Sequence, residues 1–174
     1  PGFFREYFGF LGWLGHDAAA WRTIKKEAIA ARITDSKLLP RFFAFDRDNR
    51  TLAIARENAA EAMVSELIHF EKRELQDASQ IAPNYGKTGL VGANPPYGER
   101  LDEVEELKAD YKLLGDTFKK KAPGWRGFVF TGSPELSKLI GLKPEARHVL
   151  YNGSIECRLL TYEMYSGSRQ NTDS

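Results

Sequence analysis

Asn94-Pro95-Pro96-Tyr97 is the segment of this sequence best equipped for chemistry. It combines a carboxamide, two backbone positions without an N–H, and an aromatic ring. The exocyclic amine of a purine is a poor nucleophile because its lone pair is delocalised into the ring. Two acceptors set near its hydrogens would localise that pair and aim it at an electrophilic methyl. The Asn94 side-chain oxygen can be one acceptor and the Pro95 carbonyl the other. Proline fixes φ and donates nothing, so the loop is stiff and offers no competing hydrogen there. Tyr97 can stack on the base face, a contact of about 1–3 kcal/mol. Little acid–base chemistry is required, since in-line placement of the nitrogen and a sulfonium methyl could supply most of the rate. A base inside a duplex would have to be unstacked to reach the loop. The chemistry implied is methyl transfer to a nucleobase nitrogen; the plainer alternative is a rigid turn after a strand.

Two acidic sites could serve the other reactant. Asp46, in Phe45-Asp46-Arg47-Asp48-Asn49, follows a short apolar run and precedes a helix. A carboxylate there can accept two hydroxyl hydrogens from a ribose, or act only as a helix cap. Asp48 is read as the cap. In Phe70-Glu71-Lys72-Arg73-Glu74-Leu75-Gln76-Asp77, Glu74 and Asp77 could each accept from an adenine amine or be surface charge. Other chemistries lack their residues. His16, His69 and His148 are far apart and Cys157 is the single cysteine, so no zinc cluster is expected. There is no serine nucleophile elbow and no Gly-Lys-Ser/Thr phosphate loop. His69 lies in an apolar run and is expected in the core.

The elements that must position these residues alternate. Residues 1–15, with Phe3, Phe4, Tyr7, Phe8, Phe10 and Trp13, read as an irregular segment laid over an apolar surface. Asp17 can cap a helix to about Arg32 with Trp21, Ile24 and Ala28 on one face. Thr34 to Pro40 reads as a loop and Arg41 to Phe45 as a strand. Asp48 caps a helix to about Met63, with Leu52, Ala55, Ala59 and Ala62 inward. Leu67-Ile68-His69-Phe70 is a strand. A loop holding Pro83, Asn84 and Gly86 leads to the strand Leu90-Val91-Gly92-Ala93. The next helix carries Val104, Leu107, Tyr111, Leu114 and Phe118 on one stripe and ends at Pro123-Gly124. Phe128-Val129-Phe130 is a strand. Ser133-Pro134 starts a short helix that Gly141 can stop. Asn152-Gly153, flanked by His148 to Tyr151 and Ser154 to Leu159, is a strong hairpin signal. The order implies an α/β fold, a mostly parallel sheet covered by helices with an antiparallel hairpin at its end. Ligands in such sheets sit at the carboxyl ends of strands, where Asp46, the segment after Phe70, and Asn94 all fall.

Composition sets wide limits. A chain of 174 residues can bury one real core, and its 42% hydrophobic and 28% charged residues are ordinary for a globular domain. No run resembles a membrane span or secretory signal. A lone cysteine forms no internal disulfide, which fits a cytoplasmic location, and suits a small buried strand residue. The net charge of +1 is low for a free-standing nucleic-acid binder. Lys25-Lys26 and Lys119-Lys120-Lys121 read as solvated helix faces or local basic patches.

Phe45-Asp46-Arg47-Asp48, Ala55-Arg56-Glu57-Asn58-Ala59 and Asn94-Pro95-Pro96-Tyr97-Gly98-Glu99-Arg100-Leu101 resemble the class I S-adenosylmethionine-dependent methyltransferases, which have a Rossmann-like sheet. Phe8-Gly9-Phe10-Leu11-Gly12-Trp13, His16-Asp17, Trp21 and the Asn152-Gly153 segment narrow the likeness. The chain is similar to the bacterial guanine-N2 methyltransferases of large-subunit ribosomal RNA. These carry an RNA-binding THUMP domain, and their relatives were often labelled N6-adenine-specific DNA methylases. The likeness runs from Pro1 to about Tyr165. It implies S-adenosylmethionine as cofactor, 23S ribosomal RNA as partner, and N2 of a guanine as the methylated atom. Asp46 would bind the cofactor ribose. Glu74 stands where the family usually has an aspartate near the cofactor adenine. Asn94, Pro95 and Tyr97 would form the target-base site, with Asn94 also bordering the cofactor.

The family's glycine-rich loop, Asp-Pro-x-Cys-Gly-Ser-Gly, and the central strand before it are not in this sequence. Nor are the THUMP domain or the second methyltransferase domain of some relatives. Residues 1–165 are therefore expected to be the carboxyl-terminal part of a catalytic domain, and 166–174 a loose tail. A sheet without its central strand would leave two unpaired inner edges. This stretch alone is expected to bind S-adenosylmethionine weakly and to be inactive. The rival readings are an N6-adenine methyltransferase on DNA or RNA, and a non-catalytic RNA-binding piece.

Overall fold

The structure, a computed structural model, describes residues 5–33, 35–77, 87–98 and 101–165. The expected loop of Pro83, Asn84 and Gly86, the Glu99-Arg100 pair, Phe3, Phe4, Thr34 and the tail from Ser166 lie outside the described residues. Contacts group the chain into two compact units, Pro1–Arg73 and Glu74–Ser174.

In the first unit, helix α1 (Ala18–Ala30) starts at Asp17, whose carboxylate accepts the Ala19 and Ala20 N–H groups, each at 2.9 Å. Those two donors hold the Asp17 carboxyl below its usual range. Phe8 and Phe10 of the preceding segment meet the Trp21 ring edge-on, at 5.3 and 5.1 Å. Of the described aromatic residues in this segment, Phe8 and Phe10 pack on an apolar side chain, whereas Tyr7 and Trp13 are 68% and 72% exposed, so the expected covering is met only in part. The stripe of α1 is less covered than its spacing suggests: no described residue of the helix is buried, and Ile24 is 55% exposed. Periodicity makes a face able to bury itself; a facing surface must do the burying.

Strand β1 (Phe42–Asp46) pairs in parallel with β2 (Ile68–Lys72), with Phe43 opposite His69 and Asp46 opposite Lys72. Between them runs α2 (Asn49–Glu61), capped by Asp48, whose Oδ1 accepts the Arg50 N–H at 2.8 Å. Leu52 and Ala59 are buried while Ala55 and Ala62 are half-buried. His69 is not the core residue its apolar neighbours suggest. Strand alternation turns it away from half-buried Ile68 and Phe70, and its side chain is 60% exposed, 3.6 Å from the Glu71 carboxylate. Glu71 also takes a two-nitrogen contact from Arg73, which lowers its pKa.

The second unit holds a four-stranded mixed sheet in the order β3-β4-β6-β5. Strand β3 (Leu90–Ala93) is parallel to β4 (Arg126–Thr131); β4 is antiparallel to β6 (Ile155–Glu163), which pairs with β5 (Ala146–Asn152). The mostly parallel sheet read from the element order is thus divided: β1–β2 and β3–β4 are the parallel pairs, and the hairpin makes the rest antiparallel. Helix α3 (Leu101–Lys121) and the five-residue α4 (Pro134–Lys138) cover one face. The core there is Tyr111, Leu114, Phe118, Val129, Leu136, Ile140, Leu160 and Tyr162, with Ala122, Trp125 and Met164. On β4 the inward residues are Gly127, Val129 and Thr131, the alternation a strand with one covered face requires. Ser133 caps α4, its Oγ accepting the Leu136 N–H at 3.2 Å.

The hairpin turn falls one residue later than the sequence reading. Asn152 is the last paired residue, opposite Ile155, and Gly153-Ser154 form the two-residue loop. Gly153 takes φ +62°, and glycine at the first loop position followed by an ordinary residue is the placement of a type II′ turn. The shift has consequences, because a one-residue slip exchanges the two faces of a strand.

Candidate functional site

The Asn94 loop leaves the carboxyl end of β3 and straddles the end of the sheet. Asn94 and Pro96 are exposed, Pro95 and Tyr97 half-buried. Val91 and Ala93 pack toward the α3 core, so the chain enters the loop from that face. The Pro96 carbonyl turns back to it and accepts the Tyr111 hydroxyl at 3.1 Å. Tyr97 goes to the opposite face. Its ring stands edge-on to Phe130 at 6.5 Å and lies over Gly132. Any Cβ at Gly132 would come within 2.8 Å of the Tyr97 ring and 3.0 Å of Ile155 Cγ2, so glycine here makes room for the ring.

The Tyr97 hydroxyl donates to Asn94 Oδ1 at 2.7 Å. This contact decides which end of the carboxamide is which and leaves one lone pair of Oδ1 for a second donor. The Tyr97 pKa is raised: burial is the main cause and the Cys157 thiol adds to it, while Asn152 and Asn94 pull the other way. Asn152, Ile155 and Cys157 share one face of the hairpin, the arrangement that the Asn152–Ile155 register produces. Cys157, expected as a small buried strand residue, is fully buried.

Asp46 closes β1 in the first unit. It is half-buried, its carbonyl accepts the Arg73 N–H at 3.0 Å, and its Oδ1 accepts the Asp48 N–H at 2.7 Å. Its carboxylate is therefore fixed in direction with one of about four lone-pair sites used. The cap of α2 is Asp48, as read, so Asp46 is not needed for that duty. Glu74 is half-buried at the start of the second unit, and its carbonyl accepts the Asp77 N–H at 3.1 Å; Asp77 is exposed. The structure thus brings Asn94, Pro95 and Tyr97 together on one loop.

Four residues around the loop are not read from the sequence as belonging to the site: Tyr111, Thr131, Gly132 and Asn152. The spacing puts Tyr111 on the apolar stripe of its helix, where it does lie. The available signal was its hydroxyl, since a tyrosine amid leucine and phenylalanine must find a partner when buried. A cavity of about 320 Å³ lined by Leu90, Arg126, Phe128, Glu145, Leu159 and Thr161 lies toward the other end of β3 and β4, away from the loop. Among the described residues no three His, Cys, Asp or Glu side chains cluster to hold a metal, and no helix is long and apolar enough to cross a membrane.

Comparison with known proteins gives the family and the fold. Over 165 residues the chain is 44% identical to the ribosomal RNA large subunit methyltransferase K/L of Syntrophotalea carbinolica, covering 94% of this chain and 23% of that protein. It thus spans about a quarter of the length of the curated relatives it matches. Among solved structures, a methyltransferase complexed with SAH superposes with a TM-score of 0.75 at 28% identity, covering 95% of this chain and 42% of that one. A predicted N6-adenine-specific DNA methylase from Listeria monocytogenes superposes with a TM-score of 0.71 at 29% identity, covering 94% and 40%. The fold is the Rossmann-like α/β fold of the S-adenosylmethionine-dependent methyltransferases. Residues 1–161 match the family described as UPF0020, RMKL-like, methyltransferase domain, and the chain belongs to that family.

Proposed function

We propose that this chain is part of a catalytic domain, residues 1–165, that methylates the exocyclic N2 of a guanine in 23S ribosomal RNA. The observation that carries the reading is the Asn94 carboxamide. It is exposed at the end of β3, and Tyr97 fixes its oxygen as an acceptor with capacity left over. Oδ1 of Asn94 and the carbonyl of Pro95 accept the two hydrogens of the amine, and the half-exposed Tyr97 ring stacks on the base. Bound S-adenosylmethionine supplies the sulfonium methyl. The oriented carboxylate of Asp46, with lone pairs to spare, suits its ribose hydroxyls, and Glu74 its adenine amine. The name of the Syntrophotalea carbinolica relative supports ribosomal RNA as the substrate, which would make RNA the macromolecular partner.

The test is nucleoside analysis of unmodified 23S ribosomal RNA treated with the complete gene product. N2-methylguanosine is expected, and methyladenosine as sole product would refute the guanine assignment. That rival has its own support in the Listeria monocytogenes structure, because the Asn-Pro-Pro-Tyr loop suits either amine. Asn94→Ala should lower turnover by about 100-fold through lost alignment of the nucleophile. The 174 residues by themselves should bind S-adenosylmethionine weakly, since no glycine-rich loop is among them. Tight binding in a calorimetric titration would count against this.

A further inference from the structure

The structure assigns Tyr111 and Thr131 to a buried hydrogen-bond chain that positions the Asn94-Pro95-Pro96-Tyr97 loop for methyl transfer. The assignment rests on the proposed role of that loop and names what holds it. Tyr111 is fully buried and Thr131 is 1% exposed. The Tyr111 hydroxyl reaches the Pro96 carbonyl at 3.1 Å and Thr131 Oγ1 at 2.7 Å, and Thr131 Oγ1 accepts the Ser133 N–H at 3.1 Å.

Counting hydrogens gives the chain a direction. A carbonyl only accepts, and Tyr111 has one hydrogen, so that hydrogen goes to Pro96. The Thr131 hydrogen must then go to the Tyr111 oxygen, and a Thr131 lone pair receives the Ser133 N–H. Every group is satisfied in this arrangement and in one sense only. Burial raises the Tyr111 pKa, so the donor stays protonated at neutral pH.

The consequence for the loop follows from proline geometry. The ring already fixes φ at Pro96. Anchoring the Pro96 carbonyl fixes ψ as well, so the peptide between Asn94 and Tyr97 loses most of its remaining freedom. Tyr97 is held on the other face of the sheet by Gly132, Phe130 and Ile155. The loop is therefore clamped from both faces at Pro96 and Tyr97, and the proposed acceptors, Asn94 Oδ1 and the Pro95 carbonyl, lie in the residues that lead directly into those clamps. Tyr111 touches no substrate in this arrangement. It is a positioning residue that acts through Pro96, and Thr131 acts through Tyr111.

The test uses the complete gene product with Tyr111→Phe, Thr131→Val and Thr131→Ser. Turnover on RNA is measured alongside the 19F spectrum of a fluorotyrosine placed at Tyr97. Tyr111→Phe and Thr131→Val are each expected to cut kcat by roughly 10- to 100-fold while KM for RNA stays within about twofold, because alignment is lost and binding is not. Thr131→Ser, which keeps the hydroxyl, should restore kcat. The Tyr97 resonance should shift or broaden in the first two variants and not in the third. A Tyr111→Phe enzyme with unaltered kcat and an unaltered Tyr97 line would overturn the assignment. So would Thr131→Ser behaving like Thr131→Val. The fluorine line reports the loop even if the wild type methylates adenine or no base at all, so failure of the functional reading and failure of this one remain distinct.

Discussion

The two units are built from the same kinds of element but keep their apolar residues differently. Pro1–Arg73 has two capped helices and a parallel strand pair, yet among its described residues the buried hydrophobic ones are Leu52 and Ala59. Ile24, Ile29, Phe42, Phe45 and Ile54 are exposed there. Among its described residues, Glu74–Ser174 wraps a cluster of eleven buried hydrophobic side chains between α3, α4 and one sheet face. The difference separates two sources of order. Caps and strand propensity shape the first unit, while dense packing holds the second. The Asn94-Pro95-Pro96-Tyr97 loop, for which we propose the base-holding role, belongs to the packed unit, and in that role a 1 Å error in an acceptor would cost much of the rate. Asp46, which would meet a flexible ribose, ends a strand of the other.

Phe118→Ala should have the largest effect on stability. Phe118 is 1% exposed at the carboxyl-terminal end of the α3 stripe, and its loss should cost about 3–5 kcal/mol in chemical denaturation followed by tryptophan fluorescence. A loss no greater than at an exposed site would erase the distinction between the units. Tyr162 gives a pH test of the same core. Burial pushes its pKa up to about 12 from 10.0, so the unfolded chain releases this proton first. Its contribution is complete below pH 10 and is lost as pH climbs through 12. Tyr162→Phe should flatten the fall in unfolding free energy over that interval; an unchanged slope would remove Tyr162 as its cause. Leu52→Ala is the matching change in the first unit. It should cost about 2 kcal/mol, the low end for a buried leucine, because few neighbours there are themselves buried. Ile24→Gln should be smallest, within about 0.5 kcal/mol by the same denaturation assay. A larger loss at Ile24 would mean that the α1 stripe is covered in solution.

The order of elements was legible in the sequence because its signals are local. Asp17, Asp48 and Ser133 each cap the helix they precede, and Gly153 supplies the positive φ its turn needs. His69 and the α1 stripe were misjudged for a common reason: apolar neighbours and period describe what a face can do, not what stands opposite it. The turn was placed one residue early because Asn-Gly and Gly-Ser are both acceptable two-residue loops. Strand pairing chooses between them, and that choice sets Asn152 opposite Ile155, on the face where the pairing of β6 with β4 already puts Ile155 and Cys157 beside Tyr97.

The sequence by itself determined the chemistry of the loop: one carboxamide, two residues with no N–H to donate, and one ring within four positions. It also carried the family resemblance that residues 1–161 bear out. Tertiary structure decided what those groups do for one another. Tyr111 meets Pro96 across 15 positions and Thr131 across 20, contacts that depend on how α3 lies on β4. No local rule encodes such distances, because hydrogen bonds between remote side chains form only after packing has brought their elements together.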